Sequence, residues 1–550
     1  MPAPPPPAWF WTGLYVGFHV GGAAGTANFA DPFGPSIFGD TVRTPGFLGG
    51  TQIGFNWQVP NSQWVFGIQA DISGFASEGA NTCFAYSGSA INTTCRVGPQ
   101  VAGTVTGRVA YAAGPDGRTL VYVKGGFAWA ESHVDMALNN LAAGFVGPAI
   151  TSNSSSFGVW GGTVGAGVEY ALTPAWSVFA EYDYLGFTST NVANLGSVTV
   201  SPIGVFTSVI PPSSSGVTQN IQEFKLGVNY KLGVEPWSLG PPAPLYRVGA
   251  YSWAPGWELE TGVRYMYSWG QFHKDLGQPV ASASPSISSI SRLTYDDMLT
   301  NSGEFFARLD TPWDVFIKGF IGGGRTNSGH MNDEDFGLVP NFPFPPYIPY
   351  SNTISGNVTG NTGYGVVDAG YNFLRGPTYK AGGFIGYTQF HQVMNAYGCA
   401  QIANSNSDCV GALVFPLGTL GITENDTWKA LRIGMSGEAM VTDRVKVTAD
   451  VAYLPYVNFN GLDTHWLRRV IFPEGSSGGQ GVQLEGVLSY YFTPDFSVGV
   501  GGRYWAAWTT NGSDQNATQN TIPTNFRGSF QQAGAFIQAS YIFRPWGREP

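Results

Sequence analysis

The stretch SVFAEYDY, residues 177–184, alternates polar and apolar side chains, and this alternation decides how the chain folds. Successive side chains of an extended segment point to opposite faces. One face therefore carries Val178, Ala180, Tyr182 and Tyr184, and the other carries Ser177, Glu181 and Asp183. Residues 445–453, VKVTADVAY, repeat the pattern. An apolar face toward lipid and a polar face toward a lumen explain both segments. A soluble, half-buried strand has the same local pattern, so it is the recurrence along the chain that favours a membrane barrel.

The composition points to the same class of protein. The chain has 550 residues, of which 11% are charged, 15% are aromatic and 76 are glycine, whereas about 25% of the residues in an average soluble domain are charged. No run of about 18 apolar residues occurs, which excludes transmembrane helices. A large soluble β-sandwich or propeller is the alternative, but its surface would carry too few charges for good solubility. The net charge of −10 argues against nucleic-acid binding.

The alternating segments predict an all-β chain with two tandem transmembrane antiparallel barrels. Eight runs precede residue 233, near 11–29, 46–59, 63–76, 100–113, 118–136, 157–172, 176–189 and 219–232. Ten follow, near 251–273, 289–311, 313–330, 352–375, 378–396, 426–442, 444–462, 480–493, 495–510 and 528–543. Between them, Pro236, Pro241, Pro242 and Pro244 remove ladder donors and indicate an extended linker. A single barrel of eighteen strands is the alternative.

These runs divide the chain into five parts. They are a Pro-rich segment at 1–10, an eight-stranded barrel at 11–232, the linker at 233–250, a ten-stranded barrel at 251–543 and a tail at 544–550. The first segment lacks the basic and apolar regions of a signal peptide, so we expect a mature form. Because both strand counts are even, both ends of each barrel lie on one side. We expect the ends and the linker in the periplasm and the long loops outside the bacterial outer membrane.

Four cysteines form two close pairs, Cys83 with Cys95 and Cys399 with Cys409. Local disulfides are the natural interpretation in an oxidising compartment. The spacing does not fit a metal site, because neither pair has CxxC spacing or a nearby histidine. Both bridges would lie in external loops.

Two short acidic motifs stand out, Asp333-Glu334-Asp335 and Asp463-Thr464-His465. Side chains at i and i+2 share one face of an extended segment. If both segments end at the same rim, four polar groups can hold and deprotonate one water molecule. The spacing alone is weak support, because Glu131-Ser132-His133 has a similar form inside a strand of the first barrel.

The first half resembles the eight-stranded OmpA-like outer-membrane surface-antigen barrels, which are porin-like. The residues that carry this resemblance are Trp11-Thr12-Gly13-Leu14-Tyr15-Val16-Gly17, Gly54-Phe55-Asn56-Trp57-Gln58 and Lys225-Leu226-Gly227-Val228-Asn229-Tyr230-Lys231-Leu232. The resemblance implies a structural or antigenic role without a shared active site. Eight strands leave an interior that side chains fill.

The second half resembles the omptin family of outer-membrane endopeptidases, most clearly at Gly329-His330-Met331-Asn332-Asp333-Glu334-Asp335-Phe336 and at Asp463-Thr464-His465. The resemblance implies that Asp333 and Asp335 face Asp463 and His465 across a groove at the external rim, where a peptide or protein substrate binds. It also implies that the site needs no cofactor or metal. It further implies contact with outer-membrane lipid and dependence on lipopolysaccharide. His465 would be the general base and Asp463 would orient it, while one carboxyl of the other pair holds a proton.

Strict alternation from Val445 places Asp463 and His465 on the lipid-facing side of their strand. They can point inward only if a bulge or twist intervenes near the rim, for which Gly461 is a candidate. Gly461 also stands where omptins that cut between basic residues carry an acid, so the resemblance does not extend to basic substrates.

Two other functions remain open on the sequence alone. The first is a non-enzymatic surface antigen or adhesin that keeps the omptin scaffold. The second is a passive porin, which requires a wider lumen than either half predicts.

Overall fold

A computed structural model describes residues 9–30, 41–85, 92–114, 117–139, 152–194, 197–200, 206–210, 213–234, 256–279, 289–338, 348–376, 378–403, 409, 416–514 and 523–544. Within these ranges the regular structure is β-strand throughout. No helix in them is long and apolar enough to cross a membrane. The Pro-rich linker lies almost entirely outside the described residues.

The first half of the chain forms a closed eight-stranded barrel. The strands of this half are β1 Gly13–Phe29, β2 Thr41–Gln58, β3 Trp64–Ser77, β4 Gly79–Ala85, β5 Asn92–Ala113, β6 Thr119–Leu138, β7 Ser152–Ala171, β8 Trp176–Phe187, β9 Thr190–Asn194, β10 Ser197–Val200, β11 Phe206–Ile210 and β12 Ser213–Lys231, of which β10 and β11 pair with each other in a separate sheet. The ring runs β1-β2-β3-β5-β6-β7-β8-β12 and closes where β1 pairs with β12. The short strand β4 pairs with β5 to form a hairpin above the ring.

The second half forms a closed ten-stranded barrel. The strands of this half are β13 Glu258–Pro279, β14 Ser289–Asp310, β15 Val315–Leu338, β16 Ile348–Ile354, β17 Asn357–Arg375, β18 Tyr379–Tyr397, β19 Ala400–Ala403, β20 Leu420–Met440, β21 Val445–His465, β22 Val470–Tyr491, β23 Phe496–Asp514 and β24 Thr524–Phe543. Of these, β16 and β19 lie outside the ring. The ring runs β14-β13-β24-β23-β22-β21-β20-β18-β17-β15 and closes where β14 pairs with β15. Because each ring closes on itself, the eighteen-stranded alternative is wrong.

The alternation that predicted the fold is confirmed by burial. On β8, Ser177, Glu181 and Asp183 are buried inside the first barrel, while Tyr182 and Tyr184 are exposed on its outer wall. Apolar outer walls of this kind face lipid, and the interior carries the polar groups.

The apolar band on the second barrel ends well short of one rim. On β15 the exposed apolar side chains are Val315, Ile317 and Ile321, and Arg325 and Asn327 continue the same exposed face. We call this rim the loop end. Short connections such as 441–444 and 492–495 close the opposite rim, the turn end. The last third of β15 therefore projects beyond the lipid-facing band.

Strand β21 carries one extra residue relative to β20. Leu454 and Pro455 together oppose the single residue Arg432. A bulge of this kind changes which side chains face inward beyond it, and it tolerates proline because one ladder donor is not needed. Asp463 is consequently buried on the inner face. The prediction that Gly461 forms the bulge is wrong, because Gly461 pairs in regular register with both neighbouring strands.

Both barrels are filled by side chains in the described part of the chain. In the first, buried ion pairs cross the interior, among them Lys124 with Glu181 at 2.7 Å and Arg108 with Glu169 at 3.0 Å. In the second, a layer of aromatic rings lies toward the loop end, consisting of Phe272, Tyr295, Tyr364, Phe390, Trp428, Phe459, Trp505, Phe526 and Phe530. Ion pairs fill the rest and line a cavity of about 90 Å³, with Arg264, Arg308 and Glu438 in its wall.

Both predicted disulfides are confirmed. Cys83 is bonded to Cys95 with a Cα–Cα distance of 5.6 Å, and Cys399 is bonded to Cys409 with a Cα–Cα distance of 5.7 Å. The first bridge joins β4 to β5, so it fastens the hairpin above the first barrel.

The two barrels pack side by side. Val451 and Val482 on the wall of the second barrel contact Val20 and Phe47 of the first. The Phe47 ring also lies 4.9 Å from that of Tyr453, measured between centroids. Apolar side chains that would otherwise face lipid are thus covered by protein.

Candidate functional site

Two strand ends bring the four predicted residues to the loop end of the second barrel. Asp333 and Asp335 lie near the end of β15, and Asp463 and His465 lie at the end of β21. Strands β17, β18 and β20 separate the two around the ring, so the pairs face each other across the barrel mouth. All four residues lie beyond the lipid-facing band.

Asp333 points into the barrel. It pairs across the sheet with Leu293, whose side chain belongs to the interior apolar cluster. Residues directly opposite on paired strands share a face. Asp335, two residues on, lies on the same face, and its side chain is half-buried.

Asp463 and His465 form a hydrogen-bonded pair. The imidazole Nε2 lies 3.0 Å from Asp463 Oδ2. Because an ionised carboxylate only accepts, Nε2–H is the donor and Nδ1 is left free to accept a proton. The ring also packs edge-on against Phe472, at 5.3 Å between centroids. The imidazole is thereby held in one orientation.

The two members of this pair fix each other's charge. Burial alone lowers the pKa of His465, but the Asp463 carboxylate outweighs it and raises that pKa above its ordinary value. Burial alone raises the pKa of Asp463, but His465 and Lys274 outweigh it and hold that pKa below its usual range. Asp463 is therefore an ionised partner for the imidazole.

Asp333 has the opposite character. Burial and the neighbouring Asp335 carboxylate raise the pKa of Asp333 to about 8, although His465 and Arg468 pull it down. A carboxyl group at neutral pH that keeps its proton can donate a hydrogen bond.

The sequence did not predict Lys274, which lies below the Asp463–His465 pair. This fully buried side chain comes from β13, and its Nζ lies 2.7 Å from Asp463 Oδ2 and 2.6 Å from Glu474 Oε1. It also pairs with Glu424. No local motif marks Lys274, because its partners come from three other strands.

Three further acids surround this ammonium group. Glu424 and Glu474 each contribute an oxygen within 4.8 Å of one from Asp463, and the Lys274 ammonium lies among them. Burial raises the pKa of Glu424 and of Glu474, and it raises the pKa of Asp426 to about 7. Glu424 and Asp426 repeat the i, i+2 spacing of Asp333 and Asp335, so this signal was present in the sequence. Gly461 lies between Asp426 and Glu474 in register.

Two sequence families match the two halves of the chain. Residues 1–234 match the outer membrane protein beta-barrel domain, and residues 320–541 match the omptin family. The second match includes all four predicted site residues.

Curated relatives match the first half. The 31 kDa outer-membrane immunogenic protein of Brucella melitensis is 30% identical over 207 residues, which are 35% of this chain and 78% of that protein. The 22 kDa outer membrane protein of Rhizobium leguminosarum is 32% identical over 191 residues, or 34% of this chain and 69% of that protein.

Solved structures with a similar arrangement of strands include the outer membrane protease OmpT from Escherichia coli, at 17% identity and a TM-score of 0.42, covering 52% of this chain and 97% of that one. The attachment invasion locus protein Ail of Yersinia pestis is 11% identical with a TM-score of 0.19, covering 40% of this chain and 99% of that one. The chain therefore belongs to the bacterial outer-membrane β-barrel family of the immunogenic proteins, and its second half carries an omptin family domain.

Proposed function

We propose that the second barrel is an endopeptidase whose groove opens at the loop end, on the outside of the outer membrane. A water molecule held between Asp333, Asp335, Asp463 and His465 would attack the peptide carbonyl. The observation that carries this proposal is the oriented Asp463–His465 pair at 3.0 Å, which faces the inward-pointing Asp333 of β15 across the barrel mouth.

Each group has a distinct task in this mechanism. His465 takes the proton of the water through Nδ1 as the new C–O bond forms, and Asp463 stabilises the imidazolium that results. The imidazolium then gives this proton to the leaving amine nitrogen as the peptide C–N bond breaks. Asp333 is protonated at neutral pH, so it can donate a hydrogen bond to the oxyanion that develops on the carbonyl. Asp335 accepts from the water and keeps the proton of Asp333 in place. Water attacks directly, so the enzyme forms no acyl intermediate.

Cleavage of a mixed peptide library tests the proposal. The full chain is assayed in detergent micelles with and without lipopolysaccharide, which we expect to be required as a partner. His465→Ala and Asp333→Asn should each lower kcat/KM by about a hundredfold or more, because each removes a proton-transfer or charge-stabilising group.

The first barrel offers a matched control for the histidine variant. His133 Nε2 lies 3.0 Å from Asp135 Oδ1, on strand β6 of the first barrel, which belongs to a different sheet from the strands of the groove. His133→Ala should cleave like the wild type. Equal cleavage by wild type, His465→Ala and Asp333→Asn would reject the endopeptidase and leave a non-enzymatic surface protein.

We infer a structural and surface-exposed role for the first barrel. Its interior is closed by buried ion pairs, and the curated relatives are named as immunogenic outer-membrane proteins. Antibodies raised against peptides from its loop end should bind intact cells, and antibodies against the turn 172–175 should bind only after the cells are broken open. The reverse result would invert the proposed orientation.

A further inference from the structure

The outer wall behind Asp333 and Asp335 carries a charged pair. Arg292 on β14 pairs in register with Glu334 on β15. Since Glu334 lies between Asp333 and Asp335 in the chain, its side chain points to the opposite face. Such a pair on a barrel exterior is normally exposed, yet Arg292 is 0% and Glu334 2% exposed.

The hairpin of the first barrel buries this pair. Arg292 Nη1 donates to Thr82 Oγ1, and Nη2 donates to Thr94 Oγ1 at 3.0 Å. Thr82 Oγ1 in turn donates to Glu334 Oε2 at 3.1 Å. The guanidinium Nε donates to Asp275 Oδ1 at 2.6 Å, within the second barrel. These five side chains thus form one hydrogen-bonded network where the two barrels meet.

The hairpin is built to present these two hydroxyl groups together. Thr82 on β4 and Thr94 on β5 are directly paired across the hairpin. Cys83 and Cys95, the residues that follow each threonine, are joined by the disulfide. The bridge therefore fixes the separation of the two hydroxyl groups that meet the guanidinium.

From these contacts we propose that the first barrel completes the groove of the second. Its disulfide-bonded hairpin clamps Glu334 through Thr82, Thr94 and Arg292, and so holds the β15 segment in the position that places Asp333 and Asp335. Thr82 and Thr94 are positioning residues, because they act through Glu334 and touch no reacting atom. The catalytic part of the inference rests on the proposed endopeptidase, whereas the clamp itself does not.

The two hydroxyl groups can be removed by replacing each threonine with valine, which has nearly the same side-chain shape. Thr82→Val combined with Thr94→Val should lower kcat by about tenfold or more with little change in KM, because misplaced catalytic groups slow the chemical step. The alkaline limb of the pH profile, to which Asp333 contributes, should move as well. Thr82→Ser combined with Thr94→Ser keeps both hydroxyl groups and should restore kcat. Thr93→Val is the matched control, since Thr93 faces away from Arg292 on the same strand.

Hydrogen–deuterium exchange tests the clamp independently of activity. In the double valine variant, amides of residues 290–294 and 331–335 should exchange faster than in the wild type, while those of 461–465 should not change. Replacement of Cys83 and Cys95 by alanine should give the same pattern.

Unchanged exchange at 331–335 in the double valine variant would overturn the clamp, whatever the peptide assay shows. Faster exchange there with kcat unaltered would overturn its role in positioning. If the wild type cleaves no peptide, the endopeptidase fails and the exchange result still decides the clamp.

Discussion

Aspartate and histidine residues spaced two apart form pairs at three places on the described strands. These pairs are His133 with Asp135, His273 with Asp275, and Asp463 with His465. The hydrogen bond follows from the spacing alone, because the two side chains share a face of the strand. The third pair differs in its surroundings. Burial separates it only from the first pair, since the imidazole of His465 is 12% exposed, that of His273 13% and that of His133 38%. Lys274 distinguishes it from both, because Lys274 Nζ lies 2.7 Å from Asp463 Oδ2. The chemistry proposed for the third pair therefore depends on its neighbours and not on the motif alone.

The coupled titration of His465 and Asp333 predicts a bell-shaped pH dependence of kcat/KM. His465 must be neutral to accept a proton, and its pKa is raised, so the acid limb should lie above the ordinary imidazole value of about 6.5. Asp333 must keep its proton, and its pKa is about 8, so activity should fall again on the alkaline side. The two limbs report the coupled group and not single residues.

Two variants should move these limbs separately. Asp463→Asn removes the charge that raises the pKa of His465, so the acid limb should shift to lower pH as the rate falls. Asp335→Asn removes the like charge beside Asp333, so the alkaline limb should shift to lower pH. An acid limb that stays in place in Asp463→Asn would contradict His465 as the base. Profiles of kcat/KM in the same lipopolysaccharide micelles provide the measurement.

Lys274 should matter for both stability and rate. Lys274→Met leaves Glu424, Asp463 and Glu474 buried without their cation, and breaking a buried ion pair costs about 3–5 kcal/mol in the free energy of unfolding. The pKa of Asp463 should also rise without this positive charge. A smaller fraction of the carboxyl group is then ionised, so its hydrogen bond to His465 weakens. Heat-dependent unfolding followed by gel mobility measures the first effect. Lys429→Met is the control, since Lys429 is exposed on β20, and equal melting of the two variants would refute the role of Lys274.

At the scale of the strand, the sequence predicted every strand of both rings but not the full length of several. The run predicted at 313–330 is strand Val315–Leu338, and the run at 480–493 is strand Val470–Tyr491. Both strands extend further at the loop end, above the apolar band. Without lipid on one side, the polar–apolar alternation fades there, so it could not mark residues such as Asp333. The register of β21 was unpredictable for a related reason, because the bulge at Pro455 interrupts the alternation used to assign faces.

The bulge predicts the effect of removing one residue from β21. Deletion of Pro455 should restore strict alternation and turn Asp463 and His465 toward the outer face. Peptide cleavage should be lost, while the barrel still folds and shows its heat-dependent gel shift. Pro455→Ala keeps the residue count and should retain most of the activity. Activity in the deletion variant equal to that of Pro455→Ala would show that the bulge does not aim the pair.

At the scale of the molecule, two separate barrels could be predicted because the two strand counts were even and a Pro-rich segment lay between them. The contact between the two barrels could not be predicted. Val451 and Val482 face the first barrel, and they have the same chemistry as side chains that face lipid. Lys274 could not be predicted either, since the residues around it come from strands far apart in the chain. Alternation assigns a face, but it does not say what covers that face.

The filled interiors predict that the protein does not conduct ions. The aromatic layer and the ion pairs leave a cavity of about 90 Å³ in the second barrel, which is far below the lumen of a water-filled channel. The full chain in a planar lipid bilayer should therefore give no stable open level at any moderate voltage. A known porin inserted by the same procedure is the control, and steady single-channel steps from this protein would restore the porin hypothesis.

The ion pair between the barrels also bears on assembly. Until the hairpin of the first barrel arrives, Arg292 and Glu334 lie on an uncovered outer wall. Because one chain carries both parts, this encounter is intramolecular, and a short linker sets an effective concentration of the order of millimolar. Even a weak clamp is then occupied most of the time, in a one-to-one ratio that does not depend on how much protein the membrane holds. Two separate chains with the same contacts would lose that clamp on dilution.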